Sequence, residues 1–311
     1  MHCNNQIRTI CRVVHENRAP EISTVNLTVD IQQRRIIFMK TIKYLTVFCM
    51  MICMIMQLNT NVSANENNIC YVAHRGYTKY APENSIPAFE AAGKEGFQAV
   101  ECDIHETAKD KRGKRRFVIM HDQTLNRMCG LYGKNVYQKK LTYQKIRNKY
   151  YIKTGNNIES YTKKQLRIPS LEEYLNICKR YHMKPVIEIK QKMKKDTIKR
   201  LYQSLKKAKM QNQAVVTCKY KQQLTYMRKY ARKMPLEYVR HDFTQNDLSW
   251  MKKYHINVSI NKNILSDDMI QLFEANNIKI NIWTINNKDQ LYNFTNKGIK
   301  IVTSDDALWK E

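Results

Sequence analysis

The sequence predicts an α/β chain folded as a closed (β/α)8 TIM barrel. Three observations carry that expectation. From about residue 70, short apolar runs alternate with longer stretches of helical periodicity, the pattern of parallel strands joined by helical crossovers. Roughly eight such units occupy ~245 residues, the size of one closed barrel. Polar residues crowd the C-terminal ends of the predicted strands, the end at which such barrels build their sites. An open doubly wound sheet is the alternative, and it lacks support because no Gly-rich phosphate loop follows the first strand.

The predicted strands are, in order, Tyr71–His74, Ala99–Ile104, Phe117–Met120, Pro185–Ile189, Ala214–Cys218, Leu236–Val239, Asn257–Ile260, Ile278–Thr284 and Ile299–Thr303. Helical patterns fill most gaps. Pro87–Lys94 follows a polar Asn84-Ser85 cap and ends near Gly96, and Leu171–Tyr181 places Leu171, Tyr174, Leu175 and Cys178 at helical spacing. Asp196–Lys209, Gln222–Lys233, Asp247–Tyr254, Asp267–Asn276 and Lys288–Asn296 fit the same description. The barrel has eight places for these nine strands. The gap between Ile104 and Phe117 is too short and too polar for a helical crossover, so Phe117–Met120 is expected to be an irregular extra strand or a direct neighbour of the preceding one. Residues 123–169, rich in Gly, Asn, Tyr and Lys with one short helix at Leu141–Lys149, read as an insertion that overhangs one end of the barrel and shapes a pocket.

Upstream of the fold, Met39-Lys40-Thr41-Ile42-Lys43 is basic, Leu45–Met56 is an uncharged apolar run, and Val62-Ser63-Ala64 puts small residues at a cleavage position. Together these describe a secretory signal peptide at 39–64 and a mature domain at 65–311, secreted or at the cell surface. The run of twelve residues is too short to span a bilayer, which takes ~20. Residues 1–38 then read as an upstream extension from a misassigned start. Four of the nine cysteines lie in this leader. The other five are dispersed and lack CxxC spacing, which argues against a Cys-based zinc site. Cys102 and Cys218 sit inside apolar runs, as core residues do, and one disulfide among the five stays open.

The formal charge is +27, and residues 1–64 hold seven Lys/Arg against three Asp/Glu, so the excess survives their removal. It points to an anionic partner such as a cell-envelope polymer or a membrane surface, or else to a solvated coat of lysines. The clusters Lys109–Arg116, Lys190–Lys195 and Lys206–Lys209 lack the interleaved aromatics of single-strand binding, so nucleic acid is not expected.

The chemistry gathers at strand ends. Tyr71-Val72-Ala73 runs into His74-Arg75-Gly76, Ala99-Val100 into Glu101-Cys102-Asp103, Val118-Ile119-Met120 into His121-Asp122, and Val186-Ile187 into Glu188-Ile189-Lys190. Strand alternation turns Glu101 and Asp103 to one face, and Glu188 and Lys190 repeat the pattern. Three carboxylates at one mouth repel each other unless a cation binds, and oxygen-only ligands suit a hard divalent ion, Ca²⁺ or Mg²⁺. Structural salt bridges to Arg75 or Lys190 are the plainer alternative. Two histidines beside a carboxylate pair suit acid–base work, and Arg75 supplies a planar cation for a phosphate oxygen. Acid, base, metal and phosphate-binding cation together describe phosphate-ester hydrolysis.

The motifs resemble those of glycerophosphodiester phosphodiesterases. The resemblance is carried by His74-Arg75-Gly76, Ala81-Pro82-Glu83-Asn84-Ser85, Ala88-Phe89, Ala92, Gly96, Glu101-x-Asp103 and Val118-x-x-His121-Asp122-x-x-Leu125-x-Arg127. It continues through Ile168-Pro169-Ser170-Leu171-Glu172-Glu173, Ile187-Glu188-Ile189-Lys190, Trp283-Thr284-Ile285-Asn286 and Ile301-Val302-Thr303, and so spans essentially 70–306. It implies a (β/α)8 barrel with an insertion after the second barrel strand. It also implies metal ligands at Glu101, Asp103 and Glu188, an acid–base pair at His74 and His121, phosphate contacts from Arg75 and Lys190, support from Glu83 and Asn84, and a glycerol pocket lined by Trp283. The implied reaction cleaves glycerophosphodiesters to glycerol 3-phosphate and an alcohol. A lysophospholipase D or sphingomyelinase D-like activity on the same barrel, and a non-catalytic binder of anionic polymer, are the competing readings. Thr217-Cys218 and Thr303-Ser304-Asp305-Asp306-Ala307 depart from the family pattern. Both are expected to lie away from the metal and histidine motifs and to bear on substrate preference alone. The segment Thr107–Arg116 is longer and more basic than the family's.

Overall fold

The computed structural model describes residues 38–46, 48 and 69–310. Of the expected signal peptide, residues 39–46 and 48 are helical and the rest lies outside the described residues, as do residues 1–37 of the expected extension. The chain divides into two units, Met1–Asn65 and Glu66–Glu311; the second contains the elements below.

Its order is β1 (Cys70–Ala73), α1 (Ile86–Glu95), β2 (Ala99–Glu106), β3 (Phe117–Ile119), α2 (Tyr143–Lys149), α3 (Leu171–Arg180), β4 (Lys184–Ile189), α4 (Lys195–Lys207), β5 (Val215–Cys218), α5 (Lys221–Tyr230), β6 (Leu236–Arg240), α6 (Gln245–Tyr254), β7 (Asn257–Asn261), α7 (Asp267–Ala275), β8 (Ile280–Trp283), α8 (Lys288–Asn296) and β9 (Ile301–Ser304). Eight strands run parallel in the order β1-β9-β8-β7-β6-β5-β4-β2, and pairing of Val72 with Ala99 and Ala73 with Val100 closes the ring. The predicted barrel is therefore present. β3 lies outside the ring, antiparallel to β2 with Ile104 opposite Ile119. This strand in excess of the barrel's eight is the direct neighbour of β2 because a polar hairpin, not a helix, joins the two.

Strand alternation sorts the side chains. Val100, Cys102 and Ile104 of β2 pack outward with Phe89 of α1 and Leu171, Tyr174 and Cys178 of α3 in the main core. Val72, Ala99 and Val186 form a small apolar layer on the other face, inside the barrel. Glu101, Asp103 and His105 share the face of Ala99 and are buried despite their charge or polarity. The fully buried Tyr174 ties helix to barrel. Its ring meets Phe89 edge-on at 5.0 Å, and its hydroxyl donates to the Val100 carbonyl at 2.6 Å and accepts from the Val186 N–H at 3.1 Å. α3 starts at a capping box, Ser170 with Glu173.

The insertion packs an apolar cluster of its own, including Leu125, Ile146, Ile152 and Ile168, against Val118 of β3, so it is a packed flap rather than a loose loop. Two expected strand starts move inward. Ile278 and Ile299 still donate to Phe273 and Phe294, the last turns of the preceding helices, so β8 and β9 begin at Ile280 and Ile301. All five cysteines of this unit are free thiols, and the disulfide left open by sequence does not form.

Candidate active site

The end of β1 turns sharply at Arg75 and Gly76, with φ of +57° and +88°. A Cβ on Gly76 would lie 2.6 Å from the Ala88 Cβ, so glycine lets the turn press on α1. Arg75 is held left-handed by its N–H donating to Glu101 at 2.9 Å and its carbonyl accepting from the Asn84 N–H at 2.8 Å. Asn84 also clamps Asp103: its amide donates to Asp103 Oδ2 at 2.7 Å, and its Oδ1 accepts from the Asp103 N–H at 3.2 Å.

Glu101 and Asp103 on β2 and Glu188 on β4 bring ligand oxygens within 4.8 Å of one another, and the register sets Asp103 beside Glu188. Lys190 Nζ lies 3.0 Å from Glu188 and 3.4 Å from Asp103, and Arg75 Nε lies 3.5 Å from Asp103. Burial, reinforced by repulsion from Asp103 and Glu188, pushes the Glu101 carboxyl well above the usual range. Burial also opposes ionisation of Asp103, yet Lys190 and Arg75 outweigh it and hold that carboxyl down. Glu101 Oε1 is buried without a hydrogen-bond partner.

Each histidine stands on a carboxylate. His74 Nδ1 is 2.8 Å from Asp305, which also accepts from Thr78 at 2.9 Å and Asn286 at 2.7 Å. Burial alone would raise the Asp305 carboxyl, but the His74, Asn286 and Thr78 contacts bring it down to about 2. His121 Nδ1 is 2.9 Å from Asp122, which burial would likewise raise and which Arg127 and His121 bring down to about 2. Ionised partners make Nδ1 the donor in both rings and leave Nε2 as the free nitrogen. Arg127 bridges Asp122 at 2.7 Å and Glu83 at 2.7 Å, and Glu83 reaches Arg75 at 3.2 Å. One chain of charges thus links the two histidine loops.

A pocket of about 480 Å³ gathers His74, Arg75, Glu101, His121, Glu188 and Lys190. Trp283 lines its far wall, edge-on to His241 at 4.8 Å. Of the sequence-predicted residues, Asp103, Glu83 and Asn84 stand behind the pocket, and the rest line it.

The expectation for the two departures needs correction. Asp305 is not remote but is the partner of His74, and Thr217 lines the pocket next to Glu188 in register. Pairing of β1 with β9 along Cys70–Ala73 brings the two chain regions together. Sequence reasoning also missed Asn286, Thr78 and His241. The available signal was position: Asp305 follows β9 and His241 follows β6, as His74 follows β1.

A sequence profile of the glycerophosphoryl diester phosphodiesterase family matches residues 74–308. The chain belongs to that family. It is accordingly a phosphoric diester hydrolase whose substrates are glycerophosphodiesters. A glycerophosphodiester phosphodiesterase of Bacillus subtilis (strain 168) is 24% identical over 255 residues, covering 75% of this chain and 82% of its own. Glycerophosphodiester phosphodiesterase 1 of Bos taurus is 23% identical over 260 residues, covering 72% and 74%. Among solved structures, an Oleispira antarctica phosphodiesterase in complex with the product sn-glycerol-3-phosphate superposes with a TM-score of 0.66 at 21% identity, covering 76% of this chain and 92% of that one.

Proposed function

We propose that this glycerophosphodiester phosphodiesterase works with a divalent cation held by Glu101, Asp103 and Glu188, and with His74 and His121 as its acid–base pair. The observation that carries the reading is the cluster of three carboxylates within 4.8 Å of one another, two of them lining a pocket shared with two histidines, each with its Nδ1 on an ionised aspartate. The donor set fits a hard ion of the Ca²⁺ or Mg²⁺ type: the ligands are all oxygen, and the orphaned Glu101 Oε1 lacks any other partner. Such a cation supplies Lewis-acid stabilisation of charge on the phosphate.

The protein's own groups account for the rest. Arg75 and Lys190 sit at the mouth of the carboxylate cluster, where their charges can bind the non-bridging phosphate oxygens. The glycerol half packs toward Trp283. One histidine takes the proton from the nucleophile, either water or the glycerol 2-hydroxyl, at Nε2. The other delivers a proton from Nε2 to the leaving alkoxide: attack by water on the phosphorus releases glycerol 3-phosphate and the alcohol in one step, whereas attack by the 2-hydroxyl releases the alcohol and leaves a cyclic phosphate that water then opens to glycerol 3-phosphate. The signal-peptide pattern at 39–64 supports action outside the cytoplasm.

The test is release of glycerol 3-phosphate from glycerophosphoethanolamine by the purified chain. Chelator should stop it and added Mg²⁺ or Ca²⁺ restore it, while H74A and H121A should each be inactive with unchanged melting temperature. Near-normal turnover in either histidine variant, or full activity in chelator, would refute the reading.

A further inference from the structure

Beside the catalytic pocket lies a second and larger cavity, about 1180 Å³, that the hydrolysis of a simple glycerophosphodiester leaves unused. Its lysines come from three places, the hairpin between β2 and β3, the helical turn Gln138–Lys140 of the insertion and the loop between β4 and α4, and Glu172 of α3, the first turns of α4 and Tyr220 complete the walls. Nine Lys/Arg line it against three Asp/Glu. Two of those carboxylates are already engaged, Glu106 by Arg115 and Arg200, and Glu172 by Arg116. Lys109, Lys114, Lys139, Lys140, Lys192 and Lys194 are left exposed, and none forms an ion pair among the described residues. Six uncompensated ammonium groups around one concavity repel one another, an arrangement that an anionic occupant relieves.

The cavity adjoins the site. Gln123, two residues past His121, lines both hollows. On the floor, the buried His105 ring packs against the His121 carbonyl, with Nε2 at 3.3 Å, and against Gln191 at 3.3 Å. Gln191 in turn follows the pocket residue Lys190. An extended substrate whose reacting phosphate lies between Arg75 and Lys190 can therefore pass its tail over His121 into the basic groove.

We propose that this groove is a second anion subsite, which binds phosphate groups carried by the alcohol half of the substrate and so selects chains of phosphodiester-linked alcohols over single headgroups. The proposal rests on the catalytic reading above. Its occupant is a flexible polyanion rather than a membrane, because none of the exposed large hydrophobic side chains among the described residues lines the groove to enter a bilayer. Nor is it a nucleic acid strand: the one aromatic on the wall, Tyr220, is half-buried and already covered by Lys192 and Lys219, each 5.5 Å from its ring centre, which leaves no platform for bases.

One lysine from each wall can be reversed in the full chain as K114E/K140E/K194E, all exposed and outside the catalytic machinery. Turnover is compared on glycerophosphoethanolamine, with one phosphate, and on a glycerol-phosphate oligomer, with several; binding of the labelled oligomer is followed by fluorescence anisotropy. The variant should lose about tenfold or more in kcat/KM and in affinity on the oligomer, stay within about twofold on glycerophosphoethanolamine, and mimic wild type at high salt. Equal changes on both substrates, or an unchanged oligomer, overturn the groove. So does loss of binding to phosphatidylglycerol vesicles with oligomer turnover intact. If wild type cleaves neither substrate, the catalytic reading fails, and the anisotropy arm still decides the groove.

Discussion

Asp305 shows how much a single side chain outside the recognised motifs contributes. It holds the His74 ring by Nδ1 at 2.8 Å, and Asn286 and Thr78 keep it ionised and oriented. D305N keeps an acceptor oxygen but loses the charge that fixes the tautomer, so kcat should fall by about 10²–10⁴-fold. The pH–rate profile should shift and the melting temperature hold, which separates positioning from folding; a variant with wild-type kcat and profile would show that Asp305 is merely structural. Glu83 belongs to the same scale. Sequence placed it near the site, but the structure shows its role to be bridging Arg75 and Arg127, one arginine from each histidine loop.

At the scale of elements, one hydroxyl of α3 adds hydrogen bonds to the barrel backbone beneath the helix's apolar packing. Tyr174 spans β2 and β4 where Glu101 and Glu188 must stay in register. Y174F keeps the ring packing on Phe89 and removes the hydroxyl's bonds to the Val100 carbonyl and the Val186 N–H. Stability should drop by about 1–2 kcal/mol, read as a lower denaturant midpoint with unchanged slope; no change would mean the bond is replaced. Most elements were legible because periodicity of 2 or 3.6 is a local signal, and the α8 limits Lys288–Asn296 match the sequence reading. The ends were less so. Helix-closing bonds such as Ile278 to Phe273 depend on a left-handed residue, Asn277 at φ +54°, that no apolar pattern announces.

Across the whole barrel, a buried polar layer connects strands far apart in sequence. Glu237 of β6 accepts from Asn281 of β8 at 3.0 Å, and Asn281 accepts from Thr303 of β9 at 2.8 Å. No cation accompanies Glu237 among the described residues, and burial raises its carboxyl to about 7. A carboxyl raised in the folded state favours folding fully below its unfolded pKa and loses that contribution as pH climbs through about 7. The loss approaches about 3 kcal/mol, since every tenfold weakening of a carboxylic acid on folding corresponds to ~1.4 kcal/mol. E237Q preserves the acceptor for Asn281 and cannot ionise. Wild type should therefore lose stability relative to E237Q between about pH 5 and pH 8 in denaturant titrations, and parallel pH curves would contradict this.

By itself the sequence determined the alternating elements, the strand-end motifs and thus the barrel and its family, because hydrophobic periodicity and short motifs are carried by neighbouring residues. Tertiary structure alone decided which carboxylate serves which histidine, that β3 stays outside the ring, and which lysines are left unpaired. Ring closure brings His74 to Asp305 across 231 positions, and a hairpin, a helical turn and a loop from separate parts of the chain share one groove. Such contacts follow from where the strands close in space, and no local pattern of residues encodes them.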